Sequence, residues 1–193
     1  MRLSDGVWVL GDRVQSLHGR SKAQQTLARI RPTLIALRDE LGVATYFSMH
    51  VDDEIRVVDI ADGPRAPRVD LWVGFDEAAH ATAIGKCVLR QLSEDRRRDY
   101  VARHPLVDLT PNTITDERRL LELLAEPATV SLDHEEYALG TGCAAVPVAD
   151  AAGTVVGALA VSCRAGRLPK IQASAHRIQA TADRIQRALS LAV

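Results

Sequence analysis

The sequence is poor in aromatic side chains, has no long apolar run and carries no excess of charge of either sign. Seven aromatics (two Phe, two Trp, three Tyr) in 193 residues leave little for stacking on single-stranded bases. The 24 Lys and Arg against 25 Asp and Glu lack the basic footprint that neutralising many phosphates requires, so nucleic-acid binding by these residues alone is disfavoured. No apolar stretch approaches the roughly 20 residues needed to span a bilayer, and the first residues show no charged-then-apolar leader. No membrane partner is expected, and the cytoplasm is the expected compartment. The three cysteines, Cys87, Cys143 and Cys163, lack CxxC spacing, which argues against a disulfide framework or a zinc knuckle. Each lies among small residues, where a free thiol packs as a small hydrophobe. Dinucleotide, P-loop, nucleophile-elbow and HExxH motifs are all missing. A metal site made from His80, Asp133 and Cys143 is conceivable in a folded pocket, but three ligands so far apart in sequence are weak support, and no metal and no cofactor are expected.

What is present is 47% hydrophobic and a quarter charged, the composition of a folded globular chain with one full core. Residues 7–10 form a short β-prone run ending at Gly11. Apolar residues at Leu27, Ile30, Leu34, Leu37 and Leu41 keep helical spacing, with Gly42 as the stop and Pro32 expected to kink the helix or start a second one. Residues 43–51 and 54–61 read as a hairpin around Asp52-Asp53, and 68–73 as a third strand. Three short helices are expected over 82–92, from Ser93, and over 116–125, the last capped by Thr115. Two more strands, 142–149 and 154–163, are joined at Asp150–Gly153, and this late part of the sheet is expected to hold two or three strands in all. An amphipathic helix over 168–191 closes the chain. Adjacent strands interrupted by a helical insertion imply an antiparallel sheet with helices on its faces, an α+β fold rather than an alternating βαβ one.

Three local features point to chemistry. In His80-Ala-Thr-Ala-Ile-Gly-Lys86 small residues lead straight into a helix, where open first-turn amides favour an anion; the same residues equally suit close helix–sheet packing. Thr141 with Cys143, and Ala160 with Ser162, share strand faces, and a face of hydroxyls, thiol and small side chains can line a small polar pocket. Asp133-His-Glu-Glu136 reads first as a solvated loop, and otherwise as a source of one carboxylate for that pocket. Residues 164–187 carry six Arg or Lys and one acid, Asp183, which reads as a solvated helix face.

Several stretches together resemble the C-terminal effector-binding domain of IclR-type bacterial transcriptional regulators. They are His80–Lys86, Leu109-Thr-Pro-Asn-Thr-Ile-Thr-Asp116, Asp133–Glu136 followed by Gly140 and Cys143, Ala145-Val-Pro-Val148, and Val155-Val-Gly-Ala-Leu-Ala-Val-Ser162 with Arg167-Leu168. The resemblance implies a GAF-like α+β fold over residues 25–193, preceded by a remnant over 1–24. In that remnant, residues 5–11 resemble the last wing strand of a winged helix and 12–24 a linker helix. It implies a small-molecule effector, an organic acid or aromatic compound, contacted by Ala83, Ile84, Asp133, Thr141, Cys143, Ala160 and Ser162. It also implies a homodimer or homotetramer, no enzymatic activity, and operator DNA reached only through a winged helix missing from this chain. The rival expectation is a GAF-like thiol-dependent enzyme using Cys143 with Cys87 or Cys163; it needs a depressed thiol pKa, and no Lys or Arg neighbours Cys143 in sequence.

Overall fold

The computed structural model describes residues 2–4, 7–9, 12–69 and 77–190, with side chains from residue 25 onward. Strands β1 (Arg2–Ser4) and β2 (Val7–Val9) pair as an antiparallel hairpin outside the main sheet. Helix α1 (Asp12–Leu41) follows as one element. It runs through Pro32 and across residues 24 and 25 without interruption, so the two-helix alternative does not hold. Arg38 O accepts from the amides of Gly42 and Val43, and Gly42, at φ 62°, ends the helix in the left-handed conformation that glycine tolerates best.

Strands β3 (Ala44–Val51) and β4 (Glu54–Ala61) form the expected hairpin. Asp52 and Asp53 both sit at positive φ, as a two-residue turn matched to strand twist demands, and Asp adopts that conformation more readily than bulkier residues. The strand expected over 68–73 falls largely on residues 70–76, which lie outside the described residues; Arg68 and Val69 are described and are not strand.

Helices α2 (Ala83–Gln91), α3 (Glu94–Arg103) and α4 (Glu117–Ala125) make the insertion. Thr82 caps α2 by accepting from Gly85 N at 2.9 Å, and Ser93 caps α3. The cap of α4 is Asp116, not Thr115: its Oδ1 accepts from Arg119 N at 2.7 Å. Both neighbours carry a capping oxygen, and the carboxylate also complements the positive helix end. Asp116→Ala should cost about 1 kcal/mol, read from urea unfolding, while Thr115→Ala costs less.

A short strand that the sequence pattern hides, β5 (Ser131–His134), precedes β6 (Thr141–Ala149) and β7 (Val155–Arg164). The five-stranded sheet runs β4-β3-β7-β6-β5 with every pairing antiparallel. At the β6–β7 turn Asp150 Oδ1 accepts from Ala152 N and Thr154 N, both at 2.9 Å. The final helix is two elements, α5 (Leu168–Ala173) and α6 (Ala175–Ser190), broken at Ser174.

Side chains alternate across the sheet and so divide the core in two. Ala44, Tyr46, Ala145, Ala158 and Ala160 face α2 to α4, where Ile84, Val88, Leu89, Leu120 and Leu124 are buried. Phe47, Ala144, Val146, Leu159 and Val161 face α1 and α6, against Ile30, Leu34, Ile178 and Ile185. The first face is built from much smaller side chains, which brings α2 close to the strands.

Candidate ligand cavity

Register places the candidate residues in rows across the α2 face of the sheet. One row is Asp133, Cys143, Ser162 and Ala44, and the next is Ser131, Ala145, Ala160 and Tyr46. Over them lies the N-terminus of α2. Gly85 N is bonded to Thr82 Oγ1 and Lys86 N to Thr82 O, which leaves the amides of Ala83 and Ile84 without a bond among the described residues. Gly85 seats the start of the helix against the turn before it: a Cβ there would lie 2.0 Å from Ala79 O. The small residues thus pack closely against that turn, and the Ala83 and Ile84 amides stay open beside them.

A cavity of about 20 Å³, room for one water, sits between these layers. Ala83, Ile84, Asp133, Cys143 and Ala160 line it, joined by Tyr46, Thr82 and Tyr137. Ser162 meets it through Tyr46, whose hydroxyl is 2.9 Å from Ser162 Oγ and accepts from Val69 N at 2.9 Å. Thr141, paired with Arg164 one row further on, lies instead in a neighbouring cleft that Ser162 also lines. Thus five of the seven candidates share the cavity, one forms its wall and one lies outside. Tyr46 and Tyr137 were not among the candidates; Tyr46 shares strand parity with Ala44 and Ser48, the signal that could have placed it on this face.

Asp133 is 1% exposed, so the solvated-loop reading of this stretch fails at its first residue. Its Oδ1 accepts from Glu136 N at 2.8 Å and Tyr137 N at 3.3 Å, the turn being made possible by Glu135 at φ 59°. The 109–116 motif holds that turn. Thr110 Oγ1 donates to Glu135 O and Thr113 Oγ1 to Glu136 O, each at 2.6 Å. Burial pushes the Asp133 carboxyl up to about 6, against the opposing pull of Lys86 and the two amides. Lys86, itself 2% exposed, is neutralised by an ion pair with Glu136. Burial likewise raises the Cys87 thiol to about 12 and Cys143 well above its ordinary value, the latter helped by the adjacent Asp133. Both shifts run against thiolate chemistry. His80 is buried, with Nε2 3.0 Å from Val107 O, and among the described residues no group of three or more His, Cys, Asp or Glu is placed to hold a metal ion.

The fold and the cavity define a GAF-like ligand-binding domain: an antiparallel sheet roofed by short helices, with a small, partly polar space between them. Residues 21–187 match the family described as "Bacterial transcriptional regulator IclR C-terminal", and the chain belongs to that family as its effector-binding domain. Among curated proteins it is 36% identical over 122 residues to the p-hydroxybenzoate hydroxylase transcriptional activator of Acinetobacter baylyi, covering 58% of this chain and 45% of that protein. It is 29% identical over 143 residues to the Pca regulon regulatory protein of Pseudomonas putida, covering 72% and 49%. The chain thus spans about half the length of these relatives. Among solved structures, a double mutant of the PobR inducer-binding domain from Acinetobacter, in complex with 3-hydroxybenzoic acid, superposes with a TM-score of 0.69 at 27% identity. That match covers 80% of this chain and 94% of the other. Among the described residues no helix is long and apolar enough to cross a membrane.

Proposed function

We propose that the cavity beneath α2 is the effector site and that its ligand is a small organic or aromatic acid. The observation that carries this is the placing of two open helix amides, at Ala83 and Ile84, over two adjacent rows of the sheet, with Asp133 and Cys143 in one and Ala160 in the next. The amides and the helix dipole favour a carboxylate. Small apolar side chains suit a ring or short chain, and Asp133 accepts from a hydroxyl. The similarity to a domain solved with 3-hydroxybenzoic acid supports the same class of ligand. With room for about one water, the cavity must widen to admit it. Occupancy then favours one arrangement of protomers, in a homodimer or homotetramer, only to the extent that the two arrangements differ in affinity. Operator contact is assigned to a winged helix outside these residues, with β1, β2 and the first turns of α1 as its wing and linker. A cytoplasmic regulator without enzymatic activity fits the regulatory names of the relatives and the raised thiols at Cys87 and Cys143.

Thermal melts with benzoate, 3-hydroxybenzoate, short aliphatic carboxylates and neutral benzamide test the reading. At a hundredfold excess over Kd a bound acid should stabilise the domain by about 2.7 kcal/mol, and benzamide by much less.

A further inference from the structure

Beside the cavity, at the end of β3, β6 and β7, lies an open cleft of about 420 Å³. Its charged side chains are Arg65, Arg68, Arg164 and Arg167, and no acidic side chain lines it among the described residues. Arg167 is anchored by donating to the carbonyls of Leu41 and Gly42, and Arg68 is offset by Asp62 at 3.6 Å. Arg65 and Arg164 are exposed and have no ion-pair partner among the described residues. Four exposed guanidiniums around one concavity set up a positive field that raises the local concentration of an anion.

The cleft and the cavity share a wall. Val69 borders both; Ser162 borders the cleft and Tyr46 the cavity. Three groups close the partition: Tyr46 Oη, Ser162 Oγ and the Val69 amide, with both contacts to the phenol oxygen at 2.9 Å. Opening the partition breaks both of these hydrogen bonds, which water can replace.

We propose that the arginine cleft is the entry vestibule for an anionic effector, and that Tyr46, Ser162 and Val69 form the gate between vestibule and cavity. The inference rests on the cavity being the effector site. It adds that the ligand arrives as an anion, concentrated by the field of the four arginines, and that the route lies past Tyr46.

Two thiols report on the route without any knowledge of the effector, since Cys163 borders the cleft and Cys143 the cavity. Alkylation rates at each cysteine are measured by peptide mass spectrometry with anionic iodoacetate and neutral iodoacetamide, at alkaline pH and low salt. The ratio of the two rates at one thiol cancels its thiolate fraction and isolates the preference for an anion. In the Arg65→Ala/Arg164→Ala double variant, which alters only exposed side chains, the iodoacetate-to-iodoacetamide ratio at Cys143 should fall at least about threefold, and added salt should lower it in the wild type. Tyr46→Phe should speed both reagents at Cys143. An unchanged ratio at Cys143 in the double variant overturns the proposal, including the case in which only Cys163 responds, which makes the cleft cationic but not the route. Either result leaves the effector reading to be judged separately, by ligand stabilisation in the melts.

Discussion

Gly85→Ala is expected to destabilise the domain by about 3 kcal/mol or more, although alanine at an ordinary helical position stabilises by up to about 1 kcal/mol over glycine. The new Cβ would lie 2.0 Å from Ala79 O and 2.5 Å from Ala79 C, atoms of a backbone that cannot swing aside like a side chain. Relief requires the Ala79–Ala81 turn to separate from the start of α2, which shifts buried His80 from Val107 and moves the Ala83 and Ile84 amides off the sheet. Urea unfolding measures the loss, with Gly166→Ala as the control because its Cβ would meet nothing within 4 Å. A neutral or stabilising Gly85→Ala would show that the close approach does not constrain the helix.

Asp133→Asn is expected to remove most of the fall in stability between about pH 4 and pH 6. The folded carboxyl holds its proton up to about 6, against an ordinary 3.8, because burial disfavours its charge. Within that window the folded chain keeps a proton that the unfolded chain has released. Raising the pH through it therefore favours unfolding, and above about 6, with both states ionised, the full penalty is present. Two pH units correspond to about 3 kcal/mol. Asparagine keeps an oxygen to accept from Glu136 N and Tyr137 N but has no proton to lose. Lys86 on α2 and Glu136 still neutralise each other, and Cys143, opposite on β6, stays protonated. Unfolding free energies in urea from pH 4 to pH 7.5 should give wild-type and variant curves that diverge across the window and run parallel above it. Parallel curves throughout would mean that the carboxyl is hydrated and titrates normally.

The elements legible in the sequence were those with strong local signals. Asp52-Asp53, Gly42 and Asp150–Gly153 each mark a turn by residue type, and the α2 helix is announced by Thr82 and its apolar face. Strand β5 was hidden because Ser131-Leu-Asp-His134 is short and polar; it is a strand only because β6 offers an open edge. The break at Ser174 has neither Gly nor Pro to signal it, and α1 passes Pro32 without ending there. The cavity was partly legible because strand parity puts Cys143, Ala160 and Ser162 on one face. Parity does not give depth across the sheet. Thr141 has the right parity but lies one row too far along, beside Arg164, and Ser162 is held behind Tyr46 by a bond between residues 116 apart in sequence.

The space between Ala83, Asp133 and Ala160 is proposed to receive a small organic acid. The most direct test compares ligand-induced shifts in thermal midpoint for the wild type and Ala160→Val over the same carboxylate panel. Ala160 faces Tyr46 across β3 and β7, so two added methyl groups fill the little space there while suiting the strand. At least one acid should raise the wild-type midpoint in a saturable way, and Ala160→Val should melt cooperatively with no shift. An acid that stabilises both proteins equally, or a folded wild type that no acid stabilises, would contradict the assignment.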